Sequence, residues 1–378
     1  MSLFPLINQD FNRKLLLNAL EHNRVANAYL FFGPEGSGHE GFALEFAAML
    51  NCTSNNERPC GKCPSCRKMK TLEHANLQLV FPIPIKKDTS SDKKPFMSLS
   101  QIEIDEIQNS IQRKAKNPYE KISITNAQHI SINFIREIKR TIYLTSPEKG
   151  WKVVIIFDAH LMTEQASNAF LKILEEPPPE SIFILTSSKP GKLIPTIHSR
   201  CQPIHFPPLP PSSLESALSS KGIPENRRRL IIRLSSGDLN KAFNLSETDL
   251  TKLKERTLEI LRAIAVWDIE KIYKFVKTLS ILCKQEPENF TLLMLSISSW
   301  FRDAAVLKVG RPNTELIHSD LKTEISKFVK AFPDFDGFEL NTYVENCIDF
   351  IQRNVYINLA LLNMFFKIHN AINPGKNK

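Results

Sequence analysis

A glycine-rich stretch near the start of the chain, Gly33-Pro-Glu-Gly-Ser-Gly38-His39-Glu40, has the spacing of a phosphate-binding loop. In a working loop, G-x-x-x-x-G-K-[ST], the lysine reaches the terminal phosphates and the hydroxyl binds Mg²⁺. Here His39 replaces the lysine and Glu40 replaces the hydroxyl residue. Histidine is mostly neutral at pH 7, and a carboxylate repels phosphate. We therefore expect a degenerate nucleotide site that binds no ATP, and a plain glycine turn is the alternative.

A second candidate element ends the apolar run Val153–Phe157, where Asp158 stands about 120 residues after the glycine loop. An aspartate in that place orients Mg²⁺ in nucleotide hydrolases. The next residue is Ala159, whose methyl group cannot act as a base toward an attacking water. The pair predicts damage to the second half of the same site. The alternative is an aspartate that merely ends a buried strand.

Four of the seven cysteines form a cluster with two C-x2-C spacings, at Cys52, Cys60, Cys63 and Cys66. An odd total with one tight cluster favours a metal site over a disulfide framework. Four thiolates suit one tetrahedral Zn²⁺ ion in a structural role. The last three cysteines also match part of an iron–sulfur run, and free reduced thiols are a third possibility.

These candidate residues are carried by alternating strand and helix patterns between about residues 28 and 206. Short apolar runs are typical of strands buried on both faces, and amphipathic segments such as Ile130–Leu144 and Glu164–Glu176 are typical of helices. The alternation predicts a mostly parallel sheet with helices on both faces. The predicted strands are Ala28–Phe32, Leu77–Phe81, Lys121–Thr125, Val153–Phe157 and Ser181–Thr186.

Composition and punctuation divide the rest of the chain. We predict an α/β domain over residues 1–207, a small helical domain over 208–250 and a larger helical domain over 251–378. The cysteine module lies at 52–66, and a polar, breaker-rich segment at 82–96 is predicted to be a mobile insertion. The apolar runs are too short to span a bilayer and the N-terminus lacks a signal-peptide pattern, so we expect a cytoplasmic protein without membrane contact. The net charge of +9 fits contact with nucleic acid or acidic partners, or simply solubility.

Three longer stretches resemble the bacterial clamp-loader subunits of the AAA+ class, the gamma/tau and delta-prime group. They are AYLFFGPEGSG, KVVIIFDAHLMTEQASNAFLKILEEPP and ILTSSKPGKLIPTIHSRCQPIHF. The helix Asn168–Pro178 and the Ser199-Arg200-Cys201 triplet are highly specific to that group, and the resemblance covers most of residues 10–245. It implies a RecA-like AAA+ domain, a small helical lid and a C-terminal helical collar. It also implies a zinc module at the cysteine cluster.

The resemblance assigns roles to particular positions. It implies that Arg200 is an arginine finger, which reaches in trans into the ATP site of a neighbouring gamma/tau subunit. His39, Glu40 and Ala159 depart from the active pattern, and Asn240 stands where the sensor-2 arginine would lie. A surface arginine at a helix end is the alternative for Arg200.

Together these features predict a non-hydrolysing, delta-prime-type subunit of a replicative clamp loader. Its implied partners are gamma/tau and delta subunits, the sliding clamp weakly or indirectly, and primer–template DNA without sequence specificity, in a nucleoid-associated replisome. One rival is an active gamma/tau-like ATPase in which Glu40 helps to bind Mg²⁺. Another is a stand-alone, zinc-dependent DNA-binding protein.

Overall fold

The structure is a computed structural model that describes residues 2–54, 57–84, 95–145, 148–247, 249–310, 316–353 and 355–373, apart from the side chains at positions 98 and 352. The chain divides into two compact units. The N-terminal unit comprises Met1–Ser213 and Gly237–Asn240, and the C-terminal unit comprises Leu214–Ser236 and Lys241–Lys378. The three-domain division predicted from the sequence stays a prediction.

A five-stranded sheet forms the centre of the N-terminal unit, and all its neighbouring strands are parallel. The order across the sheet is β2-β3-β4-β1-β5. The strands are β1 (Ala28–Phe32), β2 (Leu77–Val80), β3 (Lys152–Ile156), β4 (Ser181–Ser187) and β5 (Gln202–His205). Every residue of β4 is buried, as expected for a central strand that helices cover on both faces. The predicted parallel sheet is confirmed.

Seven helices belong to the strand-bearing part of this unit. They are α1 (Asp10–Glu21), α2 (His39–Asn51), α3 (Pro64–Thr71), α4 (Gln101–Lys116), α5 (Ile132–Ile142), α6 (Glu164–Glu175) and α7 (Pro195–His198). Helix α2 is buried along its whole length, because it begins at the glycine loop and packs against the sheet. Helix α4 begins with a capping box, in which the Ser100 side chain accepts from the Glu103 amide and Glu103 accepts from the Ser100 amide.

The predicted strand Lys121–Thr125 is wrong. Its isoleucines, Ile122 and Ile124, are buried, so the apolar pattern reports burial and not strand pairing. Its backbone amides bond to side chains of α4 instead of to a neighbouring strand: Ser123 donates to Ser110 Oγ at 3.2 Å and Thr125 to Glu106 Oε1 at 2.9 Å. The fifth strand is β5, which the sequence did not indicate.

The regular elements described in the C-terminal unit are nine helices, two of which begin in the N-terminal unit, and one short 3-10 turn. The helices are α8 (Pro211–Ser220, which begins in the N-terminal unit), α9 (Glu225–Ser235), α10 (Leu239–Glu247, likewise), α11 (Thr251–Val266), α12 (Ile269–Gln285), α13 (Pro287–Val309), α14 (Lys322–Ala331), α15 (Gly337–Gln352) and α16 (Ile357–Ile372). Helix α13 is central and packs against α11, α12, α14 and α15. Its buried Asp303 accepts the amides of Ile317 (3.1 Å) and His318 (2.7 Å), which ties the following segment to this helix. The predicted all-α second half is confirmed.

Helix α13 is, among the described residues, the one helix long and apolar enough to cross a bilayer. Most of it is buried among neighbouring helices, which explains its apolar composition. The predicted mobile insertion at 82–96 falls mainly on positions 85–94, which lie outside the described residues.

Candidate functional site

The glycine loop connects β1 to α2 at the carboxyl edge of the sheet. Gly36 (φ +71°) and Gly38 (φ +91°) have left-handed backbone conformations, which side chains other than glycine adopt only with strain. The Gly33 amide donates to Ser187 O of β4 at 3.2 Å, and the Ser37 carbonyl accepts from Gln9 Nε2 at 2.8 Å. The loop therefore places two left-handed glycines between a strand and a helix, and the assignment as a degenerate phosphate loop stays a prediction.

Glu40 stands on the first turn of α2, where a working loop presents a hydroxyl to Mg²⁺. Its carboxylate is buried and forms an ion pair with Lys114 of α4, whose side chain has no exposed surface. Lys114 also lies 5.2 Å from the centre of the Phe157 ring. Burial alone would raise the pKa of Glu40, but the charges of Lys114 and Lys121 outweigh it and lower that pKa. Glu40 is therefore a partnered carboxylate and not a free metal ligand.

Asp158 follows β3 and faces the same loop. Its Oδ2 lies 3.5 Å from the ammonium of Lys121, and that ammonium donates to Glu35 Oε1 of the loop at 2.7 Å. Burial and the nearby Glu40 charge raise the pKa of Asp158 despite the attraction of Lys121. Lys121 thus connects the acidic residue to the loop, in the region where a nucleotide site would hold a cation.

The turn that holds Asp238 packs directly on the loop. A Cβ atom added to Gly36 would lie 2.0 Å from Asp238 Oδ1 and 2.5 Å from its Cα. Asn240, at the predicted sensor-2 position, accepts a hydrogen bond from Asn117 Nδ2 at 3.1 Å. The carboxylate of Asp238 therefore adds to those of Glu35, Glu40 and Asp158 around a loop that would otherwise receive phosphate.

His39 is buried, and its Nδ1 lies 2.9 Å from Ser37 Oγ. Burial lowers the pKa of His39 to about 4, and Lys114 and Lys121 add to this effect while Glu40 opposes it. The ring is therefore neutral at pH 7 and supplies no positive charge to a phosphate.

We expect acid to destabilise the fold in a defined window. The pKa of His39 is about 4 in the folded chain against 6.5 unperturbed, and burial likewise lowers the pKa of His160, beside Ser187, to about 4. Between pH 6.5 and 4 the unfolded chain therefore binds protons that the folded chain does not, so the stability that these two histidines contribute falls as the pH drops, and their share of the loss levels off below 4. At pH 5.5 the expected loss is about 1 kcal/mol for each histidine.

Urea unfolding at pH 7.5 and 5.5 measures this loss. His39→Asn should remove the share of the loss that His39 contributes, about 1 kcal/mol, whereas the exposed control His129→Asn should leave the loss unchanged. An equal pH dependence in His39→Asn and the wild type would contradict the assignment to His39.

Arg200 lies at the amino end of the parallel strands, whereas the glycine loop lies at their carboxyl end. Arg200 precedes β5 and borders a cleft of about 430 Å³ beside Ala28, the first residue of β1, whereas the glycine loop follows Phe32, the last. The length of β1 separates them by roughly 13 Å. The Arg200 guanidinium pairs with Glu175 of α6 at 2.8 Å and donates to Thr196 O at 3.1 Å. The structure therefore does not bring Arg200 to the glycine loop of its own chain.

The four clustered cysteines come together as the sequence predicts. Their sulfur atoms all lie within 4.8 Å of one another. Backbone amides point at three of the sulfurs: Cys60 N donates to Cys52 Sγ (3.3 Å), Cys63 N to Cys60 Sγ (3.3 Å) and Cys66 N to Cys63 Sγ (3.4 Å). Such amide donors stabilise thiolates, so the arrangement can hold one metal ion.

The sequence model of one protein family, described as DNA polymerase III, delta subunit, matches residues 8–210. The match covers more than half of the 378 residues and includes the glycine loop, Asp158, the cysteine cluster and Arg200. The chain belongs to this family. Together with the parallel sheet, this membership confirms the predicted AAA+ fold class and the resemblance to clamp-loader subunits.

Several relatives of this DNA polymerase III family member are similar over long stretches. The delta' subunit of Bacillus subtilis is 26% identical over 318 residues, which are 83% of this chain and 82% of the relative. The tau subunit of the same organism is 26% identical over 341 residues, 84% of this chain and 52% of the relative. The gamma/tau subunit of Mycobacterium tuberculosis (strain H37Rv) is 27% identical over 219 residues, 58% of this chain. The chain spans only 31% of the length of that last relative.

Two solved structures are similar at a lower level. A gamma subunit-related protein of Thermotoga maritima has a TM-score of 0.37 at 16% identity, covering 94% of this chain and 99% of that one. The RuvB Holliday junction branch migration motor of Thermotoga maritima has a TM-score of 0.36 at 14% identity, covering 74% and 76%. Both scores lie below 0.5, so the fold assignment rests on the sheet and the family match.

Sequence reasoning missed the residues that partner the degenerate site. Lys114, Lys121, Glu35 and Asp238 come from four separate segments and meet only in the folded chain. One of them left a signal: Lys114 stands seven residues after the buried Ile107, on the apolar face of α4. A lysine on a buried helix face predicts a buried acidic partner, which here is Glu40.

Proposed function

We propose that this chain is a non-hydrolysing, delta-prime-type subunit of a DNA polymerase III clamp loader. In this role it supplies Arg200 in trans to the ATP site of a neighbouring gamma/tau subunit while the sliding clamp is loaded on primed DNA. The observation that carries the proposal is the placement of Arg200 at the sheet edge opposite a loop whose key positions are already paired internally.

Charge supports the absence of hydrolysis at the chain's own site. A triphosphate would meet the carboxylates of Glu35, Glu40 and Asp238 around the loop, and His39 adds no positive charge because it is neutral at pH 7. Lys121 already pairs with the carboxylate of Asp158. Ala159 offers no base, so both binding and chemistry lack their usual groups.

Exposure supports the role in trans. The Arg200 side chain is 37% exposed, and a planar guanidinium can stabilise charge on a transferred phosphoryl group. Since Arg200 lies at the edge of the sheet away from its own loop, a γ-phosphate within its reach would belong to a different subunit.

The alternative, an active gamma/tau-like ATPase, requires Glu40 to bind Mg²⁺. That role requires a free carboxylate, and the buried pair with Lys114 opposes it. ATP turnover by the isolated chain would favour this alternative. The second rival, a stand-alone zinc-dependent DNA-binding protein, predicts DNA affinity without partner subunits.

An exposed apolar row on α16 supports assembly with gamma/tau and delta subunits. Leu359, Leu362 and Phe366 recur at helical spacing and are 61%, 41% and 51% exposed. Exposed apolar rows of this kind mark protein interfaces. We place the row in a collar that joins the subunits, and the assembly in the cytoplasm at the nucleoid-associated replisome. The sliding clamp would be met weakly or indirectly, and primer–template DNA without sequence specificity.

We also propose that the cysteine cluster holds a structural Zn²⁺ ion. Tetrahedral zinc–thiolate geometry places the sulfurs about 3.8 Å apart, close to the separations found here. An iron–sulfur cluster spreads its thiolates over several irons, which suits a tight group of sulfurs less well. The ion would fix the module at 52–66 and take no part in the chemistry.

Replacing Arg200 tests the central proposal. In an assembly reconstituted with gamma/tau and delta subunits, Arg200→Ala should lower turnover at the one ATP site it faces by about 10³-fold. The steady-state rate of DNA-stimulated ATP hydrolysis then loses the share that this site contributes. Arg200→Lys should lose nearly as much, because a point charge lacks the planar fork of the guanidinium.

His198→Ala is the matched control, since His198 is exposed on the same short helix, α7. Co-purification of each variant with the other subunits shows that assembly is intact. A fully active Arg200→Ala assembly would rule out the arginine-finger role.

A further inference from the structure

The C-terminal end of α6 carries two adjacent carboxylates, Glu175 and Glu176, just before three prolines. Anionic side chains are unfavourable there, because the last carbonyls of a helix carry partial negative charge. A sequence places a carboxylate at this end of a helix where the side chain has a functional or structural role that offsets the unfavourable charge. Glu175 has a visible purpose, since its Oε1 accepts a hydrogen bond from Arg200 Nη2 at 2.8 Å.

Arg200 has a fixed base and a weakly held tip. Its amide donates to Ile197 O at 3.1 Å, and the next residue, Cys201, is buried. Among the described residues, two hydrogen-bond acceptors hold the guanidinium, namely the Glu175 carboxylate and the Thr196 carbonyl. The side chain can therefore change direction while the backbone stays in place.

The cleft beside Arg200 gives the guanidinium room to move. It encloses about 430 Å³ between the start of β1 and the end of α6. Its rim includes Ala26, Asn27, Leu174, Glu175, Pro177 and Arg200. Leaving Glu175 therefore requires no displacement of packed side chains.

We propose that Glu175 is a positioning residue that holds Arg200 against α6 while the neighbouring ATP site is empty and releases it to the terminal phosphate of ATP when that site fills. This inference rests on the proposed function of Arg200. Both groups of the pair are partly exposed to solvent, 37% for Arg200 and 51% for Glu175, so the contact is weak. A terminal phosphate carries more negative charge than a carboxylate and can displace it. The held state competes with ATP and raises the ATP concentration that the neighbouring site requires.

The experiment measures ATP hydrolysis against ATP concentration in the full reconstituted assembly. Glu175→Gln keeps the side-chain length and removes the charge. We expect it to lower the ATP concentration for half-maximal hydrolysis by about two- to five-fold, the range of an exposed ion pair, with kcat nearly unchanged. Glu176→Gln is the matched control, since Glu176 is exposed at the same helix end, and it should leave both constants unchanged. In an Arg200→Ala background, Glu175→Gln should have no effect.

The outcomes distinguish the positioning role of Glu175 from the arginine-finger role of Arg200. If Arg200→Ala lowers hydrolysis but Glu175→Gln behaves like Glu176→Gln, the positioning role is wrong and the arginine finger stands. A fall in kcat at constant half-saturation in Glu175→Gln would also overturn it, because the pair would then support the productive arrangement. An unaffected Arg200→Ala assembly would remove the proposed function itself.

Discussion

Replacing Lys114 with methionine is expected to lower the free energy of unfolding by about 3–5 kcal/mol, because it leaves the Glu40 carboxylate buried without a partner. The methionine keeps most of the apolar stem, so the loss reports the charge and not the packing. Urea unfolding at pH 7.5 measures it. The loss should shrink at lower pH, because an unpaired buried carboxylate takes up a proton more readily.

A second substitution distinguishes this pairing from general damage to α4. Glu40→Thr restores the residue type of a working phosphate loop and should also destabilise the wild-type chain, since it leaves the Lys114 ammonium buried and alone. The double variant Lys114→Met/Glu40→Thr should recover most of the loss. The control Lys116→Met changes an exposed lysine on the same helix and should shift stability by less than about 0.5 kcal/mol. Additive losses in the double variant would contradict the proposed pairing.

The same pair bears on how this loop departs from an active one. A change from a hydroxyl to Glu40 would bury an uncompensated charge, unless a cation such as Lys114 accompanied it. Restoring lysine and threonine at positions 39 and 40 would therefore not rebuild a nucleotide site by itself. Lys114 would lose its partner, and Asp158 would still be paired with Lys121.

The sequence was most informative where a pattern is local. Apolar runs predicted the four strands β1 to β4, and three of these, β1, β3 and β4, lie inside the sheet, where strands buried on both faces need no polar positions. The run Lys121–Thr125 misled because burial, and not pairing, selected its isoleucines. Strand β5, at the sheet edge, was missed because Pro203 interrupts its pattern and Ile204 is its one buried residue.

The candidate site likewise contains residues that the sequence predicted and ion pairs that it did not. Gly33, Gly38 and the four cysteines could be predicted because their geometry is encoded in spacing over a few residues. The Glu40–Lys114 pair joins positions 74 residues apart, and Glu35–Lys121 joins positions 86 apart. No local pattern fixes which lysine will meet which carboxylate, because that depends on how α4 and the following segment pack on the sheet.

Removing the metal is expected to unfold the cysteine module. Apparent zinc-binding free energies of about 10–16 kcal/mol in small Cys/His modules are folding free energies, since the sulfur cage exists only in the folded form. The module here has a small core of its own: its described buried residues are Cys52 and Cys66, which belong to the shared site, together with Pro59 and Ser65. Without the ion, the four sulfur atoms lose their shared partner, and the segment before α3 keeps local contacts such as the hydrogen bond from Arg58 Nε to Ser54 O at 2.9 Å.

Trypsin measures this opening directly, because Lys62 lies in the module and Arg67, Lys68 and Lys70 follow it on α3. Freshly purified protein should contain one zinc ion per chain and show no visible absorption. Chelation, or Cys60→Ser, should speed cleavage within the module on the order of a hundred-fold. Cys283→Ser, which changes a cysteine outside the cluster, should change neither zinc content nor cleavage. If the purified protein is brown and contains iron, the cluster holds an iron–sulfur site and the zinc assignment is wrong. Metal-free protein that resists trypsin would show that packing alone, through the buried Met69 of α3, is enough to hold the module.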